Sequence, residues 1–281
     1  MTLEIRNVTK SFRGKHAVDR VNLRLEGPCI CGLLGRNGAG KTTLMNMIAG
    51  KVIPTQGEIF LDGEPVREND RALGKIFSMG ETNYFPEGMK VCEVFSNLER
   101  LYPGFDRDYA DRLSKKFTLD TLQKNDKLST GYGTILKLVA ALSSGAQVLL
   151  LDEPVLGLDA NSRDLFYREL MENYAEHPRL IIFSTHLIEE AAKLIERAVI
   201  IRAGQVLLDE GIDTLLAGAY SVSGPANAAE AYAAGKDILG ADSLGGLKTI
   251  DLRGTPEEPL PAGLELGQMN LQKLFIELTN R

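Results

Sequence analysis

Hydrophobic and polar positions alternate along much of the first third of the chain, as they do in half-buried strands. Strands are predicted over residues 3–9, 18–25, 29–34, 57–63 and 75–79. The strand at 29–34 is apolar throughout and ends in a glycine-rich turn. Residues 42–49 after that turn have a helical pattern, which Gly50 closes.

The middle of the chain changes to helical spacing, which predicts a helical subdomain over about residues 86–145. Short apolar strands are then predicted at 148–151 and 180–183, with a charged helix near 160–175 between them. This strand–helix–strand order indicates a mostly parallel, buried sheet. A hairpin around Ala203-Gly204 follows. The fold class predicted from these patterns is α/β.

Beyond residue 217 the chain is rich in alanine and glycine, which fits either a flexible linker or a small folded appendage. Three patterns favour the appendage. Ser223-Gly224-Pro225 indicates a helix start, residues 247–254 alternate like a strand, and residues 270–278 form an amphipathic helix. We therefore predict two parts, residues 1–216 and a small α+β appendage at 217–281.

Composition and charge exclude several classes of protein. The chain has 281 residues, of which 44% are hydrophobic, and a formal net charge of −6. An acidic balance argues against a nucleic-acid partner. No apolar run approaches the roughly 20 residues that span a bilayer, and the N-terminus lacks a signal-peptide pattern, so a cytoplasmic protein is expected. Cys29, Cys31 and Cys92 are interpreted as structural thiols without a metal.

The segment from Gly35 to Thr42 matches the phosphate-binding pattern G-x-x-x-x-G-K-[ST] between a strand and a helix. Glycines allow the backbone to approach an anion, and the amides at the helix start favour phosphate. Lys41 is expected to reach the β- and γ-phosphates, and the Thr42 hydroxyl to bind Mg²⁺. The predicted phosphate-binding residues are Gly35, Arg36, Asn37, Gly38, Ala39, Gly40, Lys41, Thr42 and Thr43.

Two carboxylates and a histidine follow the predicted central strands. Asp152 ends one strand, where it can hold a magnesium ion, and Glu153 can polarise an attacking water. His186 follows the neighbouring strand and is predicted to reach the same sheet edge and hold the γ-phosphate. The alternatives are a helix cap or a surface pair for the carboxylates and a structural role for the histidine.

With these motifs in this order, and with Gly157-Leu158-Asp159 between Glu153 and His186, the chain resembles the ATPase subunits of ATP-binding-cassette (ABC) transporters over residues 2–215. The resemblance implies the P-loop NTPase sandwich of the ABC ATPase type, with an antiparallel β part, the helical subdomain and the appendage. It also implies ATP and Mg²⁺ as ligands. Phe12 would stack on adenine, unless it is a core residue. Asp159 would lie at a dimer seam, cap a helix, or both.

In this family two ATPase subunits pair head to tail, and each nucleotide also contacts the partner's signature motif, usually Leu-Ser-Gly-Gly-Gln. Here the corresponding segment is Leu128-Ser-Thr-Gly-Tyr132, so Ser129 and Gly131 would approach the partner's nucleotide. Thr130 and Tyr132 depart from the pattern and could slow turnover. The variant also resembles bacterial export-type ATPases.

The resemblance further implies a transmembrane permease and a peripheral location on the inner face of the membrane. Glu81 takes the place of a glutamine that usually contacts both Mg²⁺ and the permease. The implied function is ATP hydrolysis that powers transport, with a second copy or a paralogue as partner ATPase. Two alternatives remain open: a regulatory module that binds ATP with little hydrolysis, and a soluble ABC ATPase.

Overall fold

The computed structural model describes residues 1–257 and 259–280. Its first part comprises β1 (Thr2–Phe12), β2 (Lys15–Glu26), β3 (Cys29–Leu34), α1 (Lys41–Ile48), β4 (Gln56–Leu61), β5 (Glu64–Pro65), α2 (Asp70–Leu73) and β6 (Ile76–Met79). Then follow α3 (Val91–Leu101), α4 (Arg107–Lys116), α5 (Thr130–Ser143), β7 (Val148–Asp152), α6 (Ala160–Glu176), β8 (Leu180–Ser184), α7 (Ile188–Ala191), β9 (Arg197–Arg202) and β10 (Gln205–Gly211). The last part comprises α8 (Ile212–Ala217), β11 (Ala219–Pro225), α9 (Ala226–Ala233), β12 (Asp237–Leu244), β13 (Leu247–Arg253), β14 (Glu265–Gln268) and α10 (Leu271–Asn280).

An antiparallel sheet of order β2-β1-β4-β5 covers one side of the molecule. Its inward residues alternate with polar ones, as the sequence predicts, and Leu3, Ile5 and Val8 are buried. β1 and β2 run further than predicted because their polar ends pair across a tight turn, with Phe12 opposite Lys15. The hairpin therefore projects beyond the core.

The central sheet has the order β10-β9-β3-β8-β7-β6 and is parallel except for β10. Every residue of β7 and β8 is buried, since hydrophobic clusters cover both faces of the sheet. The parallel strands deliver their carboxyl ends to one edge, where loops carry polar residues. The predicted α/β class is confirmed.

The middle segment is helical, as predicted: α3, α4 and α5 pack on one another and against the central sheet. Phe95 of α3 is fully buried in the cluster that also contains Phe166 of α6 and Phe183 of β8. The helices thus share one core with the sheet.

The segment after residue 217 is folded, so the linker alternative is wrong. A third sheet of order β12-β13-β11-β14 has its own small core around Val222 and Leu252. The predicted helix start at Ser223-Gly224-Pro225 belongs to β11, and α9 begins one residue later, with Pro225 at its N-cap. The boundary at residue 217 stays a prediction.

The C-terminal helix α10 belongs to the main core as well as to the third sheet. Leu271, Leu274 and Phe275 are buried in the same hydrophobic cluster as Ile188 and Ala191 of α7. None of the helices within residues 1–257 and 259–280 has the length and apolar content that a bilayer crossing requires.

Candidate functional site

The loop between β3 and α1 depends on its glycines for two different reasons. A Cβ atom on Gly40 would lie 2.4 Å from the Ala17 carbonyl oxygen, and Gly40 has a φ of +108°. A Cβ on Gly35 would lie 2.6 Å from the Ile201 carbonyl oxygen. Gly38 has a φ of +79° but open space around it. The loop is therefore packed at its ends and open in the middle, as a phosphate cradle must be.

Helix α1 begins at this loop without any cap of its own. Within the part of the chain that the structure describes, no side chain accepts a hydrogen bond from its first amides, and its first turn holds no acidic residue. The Lys41 ammonium folds back over the loop and donates to the carbonyl oxygens of Gly35 at 2.7 Å and Arg36 at 3.4 Å. Free amides and a held cation leave the loop ready for an anion.

Asp152 ends β7 in a nearly buried position, with 8% of its surface exposed. The parallel register of β7 and β8 places Ser184 beside it, and the Ser184 hydroxyl donates to Asp152 Oδ1. Burial lowers the pKa of Lys51, and the charge of Asp152 opposes that shift. The hydrogen bond from Ser184 thus orients the Asp152 carboxylate from one side.

Glu153 and His186 form a direct contact at the carboxyl edge of the sheet. His186 Nδ1 lies 2.8 Å from Glu153 Oε2, which also accepts the His186 amide at 3.3 Å. Glu153 adopts a φ of +49°, and its amide donates to the Ser184 carbonyl at 3.1 Å. This left-handed turn directs the carboxylate away from the strand.

These groups line one cleft of about 740 Å³. The predicted residues in its wall are Phe12, Asn37, Gly38, Ala39, Gly40, Lys41, Thr42, Thr43, Glu81, Asp152, Glu153 and His186. Gly35 and Arg36 flank the loop outside this wall, and the Arg36 guanidinium donates to Asn280 Oδ1 at 3.1 Å. One chain therefore gathers most of the predicted site.

Ser129, Gly131 and Asp159 lie outside that wall. Ser129 caps α5 by accepting the Tyr132 amide at 3.3 Å. Asp159 caps α6, and hydrogen bonds from the Ser162 amide and hydroxyl lower the pKa of Asp159. Both are capping residues here, and both remain on exposed turns where a second molecule can reach them.

Phe12 is not a core residue, because 49% of its surface is exposed at the end of β1. The Lys10 ammonium lies 5.1 Å from the centroid of its ring. An exposed ring at the mouth of a polar cleft can accept a planar base on its surface.

Glu81 reaches the cleft from the loop after β6. The Lys137 ammonium of α5 fixes this loop by donating to the carbonyl oxygens of Gly80 at 2.6 Å and Glu81 at 3.1 Å. Burial lowers the pKa of Lys137, which the Glu81 charge opposes. The loop is therefore held against α5, the helix that Ser129 caps.

Sequence patterns did not predict five residues at this site. Lys15, His16, Ala17 and Leu156 line the cleft, and Ser184 holds Asp152. The hairpin pairing of Phe12 with Lys15 would have indicated the first three, and the β7–β8 register would have indicated Ser184. Leu156 comes from a loop whose path no local pattern fixes.

The sequence is similar to those of several known proteins. The family model described as ABC transporter matches residues 18–156. The chain is 31% identical over 195 residues to the ABC transporter ATP-binding protein YtrB of Bacillus subtilis (strain 168). The aligned region covers 69% of this chain and 67% of that protein. It is 33% identical over 210 residues to the ABC transporter ATP-binding protein NatA of the same organism. That alignment covers 71% of this chain and 83% of NatA.

Solved structures share the fold. An ATP-binding subunit of an ABC transporter superposes with a TM-score of 0.69 at 22% identity, over 76% of this chain and 92% of that one. A dimeric post-hydrolysis state of the ATP-binding cassette MJ0796 bound to ADP and Pi superposes with a TM-score of 0.65 at 23% identity. That superposition covers 75% of this chain and 98% of the MJ0796 chain. The expected ABC ATPase fold is thereby confirmed. By its sequence relatives and its fold, the chain belongs to the family of ABC transporter ATP-binding subunits.

Proposed function

We propose that this chain binds and hydrolyses ATP to power an ABC transporter, together with a second ATPase subunit and a transmembrane permease. The observation that carries the proposal is the carboxylate–imidazole pair of Glu153 and His186, 2.8 Å apart, facing the phosphate loop across one cleft. Such a pair positions a water next to a bound phosphate.

ATP enters with its phosphates on the loop from Gly35 to Thr43. The uncapped amides of α1 and the Lys41 ammonium neutralise the phosphate charge. The adenine lies on the exposed face of Phe12. Because stacking makes few hydrogen bonds to the base, it favours a purine without reading its edges.

Mg²⁺ fits the residues of the cleft by the chemistry of their donors. Thr42, Asp152 and Glu81 offer only oxygen atoms, and all three line the cleft beside the phosphate loop. Mg²⁺ binds through one or two carboxylates plus substrate phosphates and keeps several waters, so this small set suffices. When bound, the ion neutralises charge that develops on the phosphates.

Glu153 acts as the general base. It takes a proton from water while the water oxygen bonds to the γ-phosphorus and the bond from that phosphorus to the bridging oxygen of ADP breaks. His186 is held by Glu153 Oε2 and steadies the γ-phosphate. The products are ADP and inorganic phosphate. Rate acceleration comes from position and charge neutralisation.

A second subunit completes the site. Ser129 and Gly131 lie outside the cleft of their own chain but on an exposed helix start. In a head-to-tail dimer they close over the partner's nucleotide, and Asp159 lies at the seam. Thr130 adds bulk to this turn, so closure is slower than with glycine.

The partner in the membrane is a permease, which holds this chain at the inner face. We favour export because the Leu128–Tyr132 segment is similar to signature motifs of export-type ATPases. Relatives of comparable identity include the choline transport ATP-binding protein OpuBA of Bacillus subtilis (strain 168) at 31% and the sulfate/thiosulfate import ATP-binding protein CysA of Pseudomonas putida at 32%. Uptake of cargo by inside-out vesicles that hold the complex supports export, and failure to load them argues for import.

The decisive experiment measures Mg²⁺-dependent ATP hydrolysis against protein concentration for the wild type and Glu153→Gln. We expect the wild-type rate to rise more steeply than linearly, as for a dimer. The variant should bind ATP but turn it over about 10²- to 10⁴-fold more slowly. Equal rates would remove Glu153 from its role. Binding without hydrolysis in the wild type would favour the regulatory alternative.

A further inference from the structure

The loop 156–159 contacts the start of α5 on one side. The Thr134 hydroxyl donates to the Leu156 carbonyl at 3.1 Å. A Cβ on Gly131 would lie 3.0 Å from the Gly157 carbonyl oxygen, so the two backbones touch at that point. A displacement of the Ser129–Gly131 turn would therefore also displace this loop.

On its other side the same loop is held by Arg163. The guanidinium donates to the Leu158 carbonyl at 3.1 Å and forks onto Glu190, with Nε to Oε2 and Nη2 to Oε1 both at 3.1 Å. Glu190 belongs to α7, which begins two residues after His186. Arg163 thus joins the loop before Asp159 to the segment that carries His186.

The geometry distinguishes this ion pair from an ordinary surface pair. Its side chains are only 26% and 38% exposed, and the planar fork fixes both distance and orientation. The Arg168–Asp164 pair on the same helix has a single 3.5 Å contact and side chains that are 61% and 82% exposed. Pairs of the second kind constrain little.

We propose that Arg163 is a positioning residue that, through Glu190, sets the place of His186 according to the position of loop 156–159. This inference rests on the proposed function. When a second subunit engages the Ser129–Gly131 turn and Asp159, the displacement passes through loop 156–159 and Arg163 to α7. Engagement of the Ser129–Gly131 turn by the partner thus adjusts the place of His186 in the same subunit.

The kinetic test compares Arg163→Gln, Glu190→Gln and the double variant. We expect kcat to fall roughly 10- to 100-fold in each, because small misplacements of a catalytic group have effects of this size. ATP affinity should stay within about twofold, since neither residue lines the cleft. The double variant should be no slower than either single variant. Arg163→Lys should not restore kcat, since an ammonium lacks the planar fork that meets both Glu190 oxygens while also reaching the Leu158 carbonyl.

The matched control is Arg168→Gln, which removes the exposed pair from the same helix and should leave kcat unchanged. A second readout does not depend on activity. The chain has three histidines, His16, His177 and His186, so the imidazole nitrogens can be followed by NMR after ¹⁵N-histidine labelling. Arg163→Gln should move the His186 signals alone, and Arg168→Gln should move none.

Unchanged His186 signals in a folded Arg163→Gln protein would overturn the proposal, as would additive losses of kcat in the double variant. The NMR result stands even if the wild type hydrolyses no ATP. In that case the proposed function fails while the positioning role is still decided. Conversely, normal hydrolysis with a normal rate in Arg163→Gln leaves the proposed function intact and removes Arg163 from it.

Discussion

Two glycines of the phosphate loop, Gly38 and Gly40, are required for different physical reasons. Gly38 and Gly40 share a left-handed backbone, but only Gly40 touches the Ala17 carbonyl of the β2 hairpin. A methyl group at Gly38 meets no atom within 4 Å, so it strains only the backbone. At Gly40 it adds a steric clash to that strain.

We therefore predict that Gly40→Ala destabilises the protein and displaces the hairpin, whereas Gly38→Ala costs about 1 kcal/mol of unfolding free energy, the size of a left-handed alanine. Gly40→Ala should lower the unfolding free energy by clearly more, since the added Cβ would clash with the backbone of Ala17. Urea unfolding of the two variants measures the difference. Equal losses would mean that the Ala17 contact is not a constraint.

At this scale the sequence predicted the residues of motifs but not their partners. The loop from Gly35 to Thr43 was identifiable because spacing alone fixes which residues face a phosphate. The Ser184 hydroxyl on Asp152 depends on the pairing of β7 with β8, which are separated by a whole helix along the chain. Hydrogen bonds between distant segments leave no local periodicity to detect.

Among the elements, α10 connects the main core to the third sheet, because it packs against both α7 and α8 and also against β12. Its Lys273 donates at 2.8 Å to Asp251 of β13, a carboxylate with no exposed surface. The other oxygen, Asp251 Oδ2, has no hydrogen-bond partner within the described part of the chain. This carboxylate therefore depends strongly on one ammonium group.

Lys273→Met, which keeps the length of the side chain and removes its charge, should lower the unfolding free energy by about 2 kcal/mol. Breaking a buried pair costs more, but Lys273 is one-third exposed, which reduces the loss. Adding Asp251→Asn should recover part of the stability. The matched control is Lys248→Met, which breaks the more exposed pair with Glu230.

Thermal or urea unfolding checks this prediction. If Lys273→Met and Lys248→Met lose the same stability, the burial of Asp251 contributes nothing to the pair. If the double variant is the least stable of all, the carboxylate is not left unpaired by the single change.

Sequence patterns predicted long, half-buried elements well and exposed ones poorly. The pattern at 247–254 predicted β13, whose Ile250 and Leu252 are buried in the small core. β12 was not predicted, because all but one of its residues are at least partly exposed and apolar alternation is lacking. Pro225 indicated the start of a helix correctly to within one residue. The strand before it, β11, was not predicted, because its small residues give no clear hydrophobic alternation.

For the whole molecule, the division of the site between the cleft and the Ser129–Gly131 turn makes a prediction about mixtures. Lys41→Ala lacks a working phosphate loop and Ser129→Arg lacks a working signature turn, so each homodimer should be inactive. In the proposed head-to-tail arrangement a mixed dimer contains one intact site, because the loop of one chain would meet the turn of the other. Mixing the two proteins should restore up to about a quarter of the wild-type rate.

ATP hydrolysis by each variant alone and by an equimolar mixture measures this complementation. Lys115→Ala mixed with Ser129→Arg is the control, since Lys115 is an exposed residue of α4 that should leave its own homodimer active. A mixture of Lys41→Ala and Ser129→Arg that stays as inactive as its components would contradict the head-to-tail arrangement.

The bare start of α1 has a consequence for the lifetime of the folded chain. A helix commonly begins with a side chain that accepts its first amides, but no such acceptor is found for α1 among residues 1–257 and 259–280. In the proposed complex the nucleotide phosphates accept these amides, so that bound nucleotide stabilises the fold. A ligand present at 100 times its dissociation constant adds about 2.7 kcal/mol to stability. The protein should therefore melt at a higher temperature, and resist proteases longer, in an energy-rich cell than in a starved one.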